Sequence, residues 1–176
     1  MTPERSKKLN DVLNKRQPGL SILLENVHDP HNISAVMRTC DAVGIQDIYI
    51  LNTQIPKHKK WGARSSSSAA KWLTVHQFND TKECFTALRK RFDKIYTTHL
   101  GADAVGMHQL DLTQSVALVP QVGIIQSLNI SVACAVTLYE AFRQKTIAGH
   151  YDTPQLKDAE LQQLKNEWGF IDGLDD

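Results

Sequence analysis

The sequence predicts an α/β fold in which helices flank a parallel sheet. Two short apolar runs, residues 20–25 and 47–51, are separated by a helical pattern that ends before Gly44. Strand, helix and strand in this order form a βαβ unit with parallel strands and a right-handed crossover. A length of 176 residues, 41% of them hydrophobic, suits one core. We therefore expect a central domain over residues 19–150, with helical extensions over 1–18 and 151–176.

The first extension is predicted to be a basic helix. Thr2 offers a capping hydroxyl, Pro3 suits a first turn, and Glu4 lies near the positive end of the helix dipole. At 100° per residue, four basic side chains fall within roughly a 100° arc of this helix. They are Arg5, Lys8, Lys15 and Arg16. This face is either an ordinary solvated surface or an arm that contacts phosphates.

The helix after the first strand carries one polar residue of interest. Its apolar residues share one face, and they are Ile33, Val36, Met37, Cys40 and Val43. Arg38 lies on the opposite side, with Ser34, Ala35 and Ala42 around it, and Asn32 is predicted to cap the helix. Because charged residues are mostly exposed, the pattern alone favours an ordinary surface arginine over a reactive one.

The middle of the chain continues the alternation of strands and helices. Strands are predicted at 73–76, 94–98 and 116–119, and Asp80 is expected to cap a helix that runs to about Arg91. Ligands of open α/β sheets bind beyond the carboxyl ends of strands, which draws attention to the corner at Thr98. The basic residues of 57–64 are followed by four serines, which suits either an RNA-contacting loop or a solvated one.

A loop and a long helix follow the last predicted strand. Pro120 and Gly123 mark the loop, either Ser127 or Asn129 can cap the helix, and residues 130–142 carry almost no charge. Apolar side chains fall on several sides of the helical period, so we expect this helix to be buried nearly all round. A shorter helix is predicted over 154–164, with docking residues Leu156, Leu161 and Leu164.

Composition excludes several classes of protein. The motifs GxGxxG, GxxxxGK[ST], HExxH and CxxC are absent from the sequence, so dinucleotide, NTP-hydrolase and zinc sites lack support, and no metal is expected. Cys40, Cys84 and Cys134 suit buried reduced thiols. With no membrane-length apolar run and no apolar signal region, we expect no membrane partner and a cytoplasmic location. Residues 1–100 carry a net charge of +7 and residues 101–176 one of −6, which favours a polyanionic partner.

Two stretches resemble signature motifs of the SpoU-like, or TrmH-like, branch of the SPOUT RNA 2′-O-ribose methyltransferases. Residues 24–44 read LENVHDPHNISAVMRTCDAVG, and residues 126–144 read QSLNISVACAVTLYEAFRQ. Within this branch the resemblance is strongest to the enzymes that methylate guanosine 18 of tRNA. It implies a SPOUT fold with a C-terminal trefoil knot, S-adenosylmethionine as the cofactor, tRNA as the substrate and a homodimer.

The resemblance also implies roles for individual residues. The catalytic set would be Arg38, Asn32, Ser127 and Asn129. The cofactor would lie against Thr98, Leu100, Val119, Ile124, Ser127 and Leu128. The tRNA would contact Arg5, Lys8, Arg16 and Arg143. The expected reaction is methylation of a guanosine in the tRNA D-loop; the alternatives are the same chemistry on ribosomal RNA and an RNA-binding protein without catalysis.

One segment of the family pattern is missing. Such proteins continue after the strand at 116–119 with a glycine-rich stretch of the type Gly-Asn-Glu-x-x-Gly, a helix and a further short strand, whereas here Val119 is followed by Pro120. Either the cofactor pocket has truly lost this segment, or the natural chain is longer. We favour the longer chain, because joining the strand directly to the cofactor loop makes the fold hard to build. An intact mass above 19.8 kDa would support it.

Overall fold

The computed structural model of the chain describes residues 1–57, 69–98, 102–119 and 129–170. Within these residues five parallel strands form one sheet in the order β3-β2-β1-β5-β4. The strands are β1 (Leu20–Glu25), β2 (Asp47–Leu51), β3 (Thr74–Phe78), β4 (Lys94–Thr97) and β5 (Val116–Val119). The prediction of an α/β fold with a parallel sheet is thereby confirmed, and each predicted strand is present with its ends shifted by at most two residues.

Helices cover both faces of this sheet. They are α1 (Pro3–Leu13), α2 (Pro30–Ala42), α3 (Thr81–Arg91), α4 (Ile130–Ile147) and α5 (Asp158–Glu167). On one face α2 and α4 pack against Leu20, Ile22 and Leu24, and on the other α3 packs against Leu23. Because β1 is central and covered on both faces, residues 20–24 are all buried, rather than every second residue.

The helix starts follow the capping residues, with one exception. Thr2 caps α1 by accepting a hydrogen bond from the backbone N–H of Arg5 at 3.3 Å, and Asp80 caps α3, both as predicted. The predicted cap Asn32 is wrong: Asp29 caps α2, accepting from the N–H of His31 at 2.8 Å. The reason is Pro30, whose fixed φ suits the first helical position and so starts the helix directly after Asp29.

The N-terminal and C-terminal extensions pack against each other. Their buried side chains form one cluster, made of Leu9, Leu13, Leu164, Trp168 and Phe170. Leu156 and Leu161 dock against this cluster as expected. The helix α5 begins four residues later than the predicted start at Pro154, because the side chain of Glu160 accepts a hydrogen bond from the backbone N–H of Lys157 and fixes the first turn there.

The prediction that α4 is buried nearly all round is wrong. Cys134 and Leu138 are fully buried, but three apolar residues on the opposite side keep about half of their surface exposed. These are Val132 at 45%, Val136 at 49% and Tyr139 at 54%. Spaced four and three residues apart, they form one exposed stripe along the helix.

Two further expectations concern cysteines and membranes. Cys40, Cys84 and Cys134 are buried free thiols, as predicted. Across the described ranges, no helix combines the length and apolar character needed to cross a membrane. Of the basic loop 57–64, only Lys57 falls inside the described residues.

Gly44 is a position where the fold requires glycine. Its φ is +81°, and a Cβ added there would lie 2.5 Å from the backbone oxygen of Lys15. Gly169 shares the left-handed conformation, with φ +79°, but an added Cβ would meet nothing within 4 Å. Substituting Gly169 therefore measures the cost of the left-handed backbone conformation alone, whereas substituting Gly44 adds the cost of a clash with the backbone of Lys15.

We predict that Gly44→Ala lowers the free energy of unfolding by more than about 2 kcal/mol, whereas Gly169→Ala lowers it by about 1 kcal/mol. The difference arises because Lys15 must move to admit the methyl group at position 44. Urea unfolding followed by circular dichroism measures both. Equal losses in the two variants would contradict the clash at Gly44.

Candidate functional site

A cavity of about 290 Å³ opens at the carboxyl ends of β4 and β5. Its floor is formed by Ile22 of β1, Leu118 of β5 and Cys134 of α4. The remaining lining residues are Tyr96, Thr97, Thr98, Asp103, Ala104, Val105, Met107, Leu110 and Thr137. Such a volume lies at the lower end of the range found for small-molecule sites, and the carboxyl edge of a parallel sheet is where such sites are usual.

The lining of this cavity combines apolar surface with a few polar groups. Hydroxyl groups come from Thr97, Thr98 and Thr137, and a carboxylate comes from Asp103. Burial raises the pKa of the Cys134 thiol to about 12, so that this sulfur stays protonated and is a poor nucleophile. The cavity is therefore suited to holding a small molecule rather than to attacking it.

The starts of α2 and α4 lie near this edge of the sheet. Because β1 and β5 are adjacent and parallel, their carboxyl ends lie at the same edge, and Cys134 and Thr137 of α4 line the cavity there. Asn129 caps α4: its side-chain oxygen accepts hydrogen bonds from the N–H and hydroxyl of Ser131 at 2.8 and 2.7 Å. Of the two predicted caps, the structure thus selects Asn129. With its oxygen engaged, the amide N–H groups of Asn129 are what it can offer to a ligand.

Asn32 and Arg38 belong to α2. Asn32 lies in the first turn, and Arg38 follows six residues later, about 9 Å along the helix axis. The side chain of Arg38 is exposed, and the apolar face of the helix is buried as predicted. Ser34, which the sequence pattern placed around Arg38 on the exposed side, is instead completely buried.

Asn26 is a structural residue of this edge that sequence reasoning missed. It has a positive φ of 47°, and its side-chain oxygen accepts hydrogen bonds from the N–H groups of Thr53 and Gln54 at 2.9 and 3.0 Å. The side chain thereby fastens the end of β1 to the end of β2, just before the chain enters α2. An asparagine directly after a buried strand is the available signal, because asparagine tolerates left-handed backbone better than most residues.

A second cavity, of about 380 Å³, lies beside α1. Its lining combines cationic, aromatic and apolar side chains, and comprises Arg5, Lys8, Leu9, Val12, Arg16, Asp41, Trp72 and Trp168. Arg5 and Lys8 are exposed, so the predicted basic arm keeps these two cations at the surface. We call this feature the α1 groove.

The proposed RNA contact through Arg16 is wrong. Helix α1 ends at Leu13, so the helical arc does not extend to Arg16, whose side chain is completely buried. Its guanidinium donates hydrogen bonds to the carboxylate of Asp41 at 2.8 Å and to the backbone oxygens of Ile45 and Trp72 at 3.0 and 3.2 Å. A side chain held in this way cannot reach a phosphate on another molecule.

Arg143 lies on the exposed side of α4. Its side chain keeps 58% of its surface and donates two hydrogen bonds to the carboxylate of Glu140, at 2.8 and 2.9 Å. The hydrogen bonds from Arg143 and Gln144 lower the pKa of the Glu140 carboxyl to about 2. The pair is therefore ionised under all physiological conditions, and the guanidinium of Arg143 has a fixed orientation.

Several predicted residues are not brought into this geometry. Leu100, Ile124, Ser127 and Leu128 lie outside the described residues, and Val119 is described only as the last residue of β5. Thr98 lines the first cavity. In the part of the chain that the structure describes, no three His, Cys, Asp or Glu residues are grouped so that they could hold a metal ion.

Comparison with known proteins gives consistent matches. The family model described as the SpoU rRNA Methylase family matches residues 19–119. A tRNA (guanosine(18)-2′-O)-methyltransferase of Thermus thermophilus is 36% identical, with 95% of this chain and 96% of that protein aligned. A solved Aquifex aeolicus TrmH/SpoU tRNA modifying enzyme superposes with a TM-score of 0.82 at 31% identity, covering 93% of this chain and 94% of the other.

A more distant structure shares the fold alone. The Streptomyces viridochromogenes SpoU methyltransferase AviRb, solved in complex with AdoMet, has a TM-score of 0.62 and is 20% identical, and the superposition covers 76% of this chain and 62% of the other.

The length of the alignment bears on the missing segment. The alignment with the Thermus thermophilus protein runs over 191 positions and takes in 95% of this chain, which is about 167 of its 176 residues. About two dozen positions are thus occupied by the relative alone. That number is compatible with the glycine-rich stretch, helix and short strand expected after Val119.

Proposed function

Because the chain belongs to the SpoU methylase family, whose model matches more than half of it, we propose that it methylates the ribose 2′-hydroxyl of a tRNA guanosine, at position 18 in the D-loop. The observation that carries the proposal is the cavity at the carboxyl edge of the sheet, which α4 lines with Cys134 and Thr137. The tRNA substrate is favoured over ribosomal RNA because the relative named for tRNA aligns over nearly the full length of both chains.

S-adenosylmethionine is the proposed cofactor, and the cavity suits it. The apolar floor can take the flat adenine, and the threonine hydroxyls and Asp103 can bind sugar or amino groups. Thr98 would contact it directly, and Leu100, Val119, Ile124, Ser127 and Leu128 would complete the site. When bound, the cofactor supplies a methyl group made electrophilic by its sulfonium.

Arg38 is the proposed catalytic residue. As the ribose oxygen attacks the methyl carbon, the hydroxyl would pass its proton to water and partial negative charge would develop on the oxygen, while the carbon–sulfur bond breaks and leaves its electron pair on the sulfur. A guanidinium has five N–H donors and no acceptor, so Arg38 would orient this oxygen and stabilise its charge rather than remove the proton. Asn32, Ser127 and Asn129 would hold the ribose and the cofactor loop in the geometry needed for direct displacement.

The tRNA contacts are proposed to come from two surfaces. Arg5 and Lys8 line the α1 groove together with Trp72, and cations beside an aromatic ring suit a phosphate backbone and its bases. Arg143, more than half exposed on α4, is proposed as a further contact. tRNA is found in the cytoplasm, which is therefore the proposed site of action.

We further propose a homodimer and a knotted C-terminal section. The exposed stripe of α4, formed by Val132, Val136 and Tyr139, is apolar surface that a second copy of the chain would cover. The active site would be completed across this interface. The C-terminal section would be threaded into the trefoil knot of the family, a rare exception to unknotted topology.

The alternative is an RNA-binding protein without catalysis. It is favoured by the roughly two dozen positions that the Thermus thermophilus relative has and this chain lacks. Calorimetric titration with S-adenosylmethionine discriminates the two, because only the enzyme requires the cofactor to bind. An absence of heat, together with retained tRNA binding, would favour the alternative.

We predict that the protein transfers labelled methyl from S-adenosylmethionine to unmodified tRNA, and that Arg38→Ala lowers kcat by about 10²-fold or more because it removes stabilisation of the developing charge. Nucleoside analysis should identify 2′-O-methylguanosine. Arg89→Ala, which removes an exposed arginine on α3, is the matched control and should leave the rate unchanged.

Two results would contradict this assignment. Equal rates for the Arg38→Ala variant and the wild type would remove the proposed role of Arg38. If the wild type transfers no methyl group, the assay is repeated on a chain with a glycine-rich segment inserted after Val119. Restored transfer would show that the missing segment causes the defect. Continued absence of transfer would reject the proposed activity.

We predict that the double variant Arg5→Glu/Lys8→Glu binds tRNA at least about tenfold more weakly, and that the slope of log K against log salt becomes shallower by about 2, because two phosphate contacts release fewer counterions. Filter binding over a salt series measures both quantities. Lys82→Glu/Lys90→Glu on α3 makes the same change of charge elsewhere on the surface. Equal weakening in this control would show a general charge effect and not a specific arm.

We predict that Val136→Lys dissociates the dimer, since a charge buried in an apolar interface is not compensated. Sedimentation velocity at several concentrations measures the change. Thr86→Lys, at an exposed position of α3, should leave the sedimentation coefficient unaltered. A wild-type protein that sediments as a monomer at all concentrations would rule the dimer out.

A further inference from the structure

The outer wall of the first cavity is a stretch of chain with little regular structure. It runs from 102 to 115, contains one short 3₁₀ turn at Met107–Gln109, and contributes five lining residues. These are Asp103, Ala104, Val105, Met107 and Leu110. Such a segment requires attachments from outside to keep one shape, and helix α4 supplies them.

Gln144 of α4 binds the backbone of this wall at two points. Its side-chain oxygen accepts a hydrogen bond from the N–H of Leu112 at 2.8 Å, and its amide nitrogen donates to the backbone oxygen of Leu110 at 3.1 Å. The same nitrogen donates to a carboxylate oxygen of Glu140 at 2.9 Å. Because a carboxylate only accepts, Glu140 reinforces the amide orientation that Leu110 and Leu112 require.

Lys145 holds the next part of the wall. Its ammonium donates to the backbone oxygens of Thr113 and Gln114 at 2.9 and 3.3 Å, and the side chain is only 2% exposed. Burial lowers the pKa of Lys145 to about 8. A neutral amine keeps two N–H donors, so both hydrogen bonds can persist when the proton is lost.

Glu140 connects this buried network to the surface. It is only 7% exposed, and its carboxylate accepts from Gln144 on the wall side and from Arg143 on the exposed side. His108 of the wall lies 3.7 Å from the same carboxylate. The buried carboxylate of Glu140 therefore orients both the Gln144 amide, which binds the wall, and the exposed guanidinium of Arg143.

We propose that Glu140 is a positioning residue for methyl transfer, which acts through Gln144 on the wall of the cofactor cavity and through Arg143 on the RNA. The inference rests on the proposed function, since it takes this cavity as the cofactor site. It assigns different roles to three neighbours on one helix. Gln144 holds the wall of the cofactor cavity, Arg143 contacts the RNA, and Glu140 orients both side chains.

These separate roles predict that the variants differ in how they affect the binding of S-adenosylmethionine and of tRNA. Glu140→Ala should raise the Kd for S-adenosylmethionine about tenfold, as expected for losing a hydrogen bond to a charged group, and Gln144→Ala should do the same. Arg143→Ala should weaken tRNA binding while changing the Kd for the cofactor less than about twofold, because the Gln144 link stays intact.

The conservative variant Glu140→Gln distinguishes a role in positioning Gln144 and Arg143 from a general loss of protein stability. Glu140→Gln keeps one oxygen that can accept from Gln144, so most of the cofactor affinity should return, whereas the bidentate pair with Arg143 is lost and tRNA binding stays weak. Glu83→Ala on α3 is the control for removing a carboxylate from an exposed helix position. Identical losses for both ligands in the Ala variants at 140, 143 and 144 would overturn the proposal.

A measurement without ligand tests the wall directly. In hydrogen exchange of the unliganded protein, the Leu112 amide should exchange at least about tenfold faster in Glu140→Ala and Gln144→Ala, while the Leu23 amide in β1 keeps its rate. Unchanged exchange at Leu112 would overturn the positioning role. If the wild type binds no S-adenosylmethionine, the proposed function fails, and the exchange at Leu112 still decides whether Glu140 orders the wall.

Discussion

The parallel pairing of β1 with a strand on each side is the constraint on which the rest of the structure depends. Ile22 lies opposite Ile48 of β2 and Leu118 of β5, so three strands point the same way at the centre of the sheet. The carboxyl ends of all three strands therefore lie at one edge, close to the start of α2, which follows β1 after four residues. The first cavity, lined by residues 22, 96–98, 118 and 134 among others, lies at this edge.

Three parts of helix α4 have different surroundings, which explains its unusual composition. Cys134 and Leu138 enter the core, Val136 and Tyr139 stay exposed, and the polar residues of its last two turns hold the cavity wall. A helix with such varied neighbours shows no single apolar face. Its pattern therefore predicts burial in general but not what covers each side.

The strands, the caps Thr2 and Asp80, and the buried face of α2 could be predicted because each depends on neighbours in sequence. The failures depend on contacts between distant segments. The burial of Arg16 requires Asp41 and Trp72 to be in place, and the exposure of Val136 depends on what packs against α4. Of the candidate site, local motifs pointed to Thr98, which lines the first cavity, and to Asn129, which caps α4. The links from α4 to the wall join residues about 30 apart and had no sequence signal.

The two cavities lie at opposite edges of the sheet, and this separation bears on the size of the substrate. The α1 groove is lined by Arg16, whose guanidinium donates to the backbone oxygens of Ile45, just before β2, and of Trp72, just before β3, at the amino edge. The first cavity lies at the carboxyl edge, so a strand of five residues, about 17 Å, separates the two. A ligand that contacts Arg5 and also reaches the first cavity of the same chain must span a distance of this order, unless it bridges two copies of the chain. A mononucleotide is too small to do so, whereas a folded RNA is large enough, and binding energy gained at the α1 groove can then position a ribose at the distant cavity.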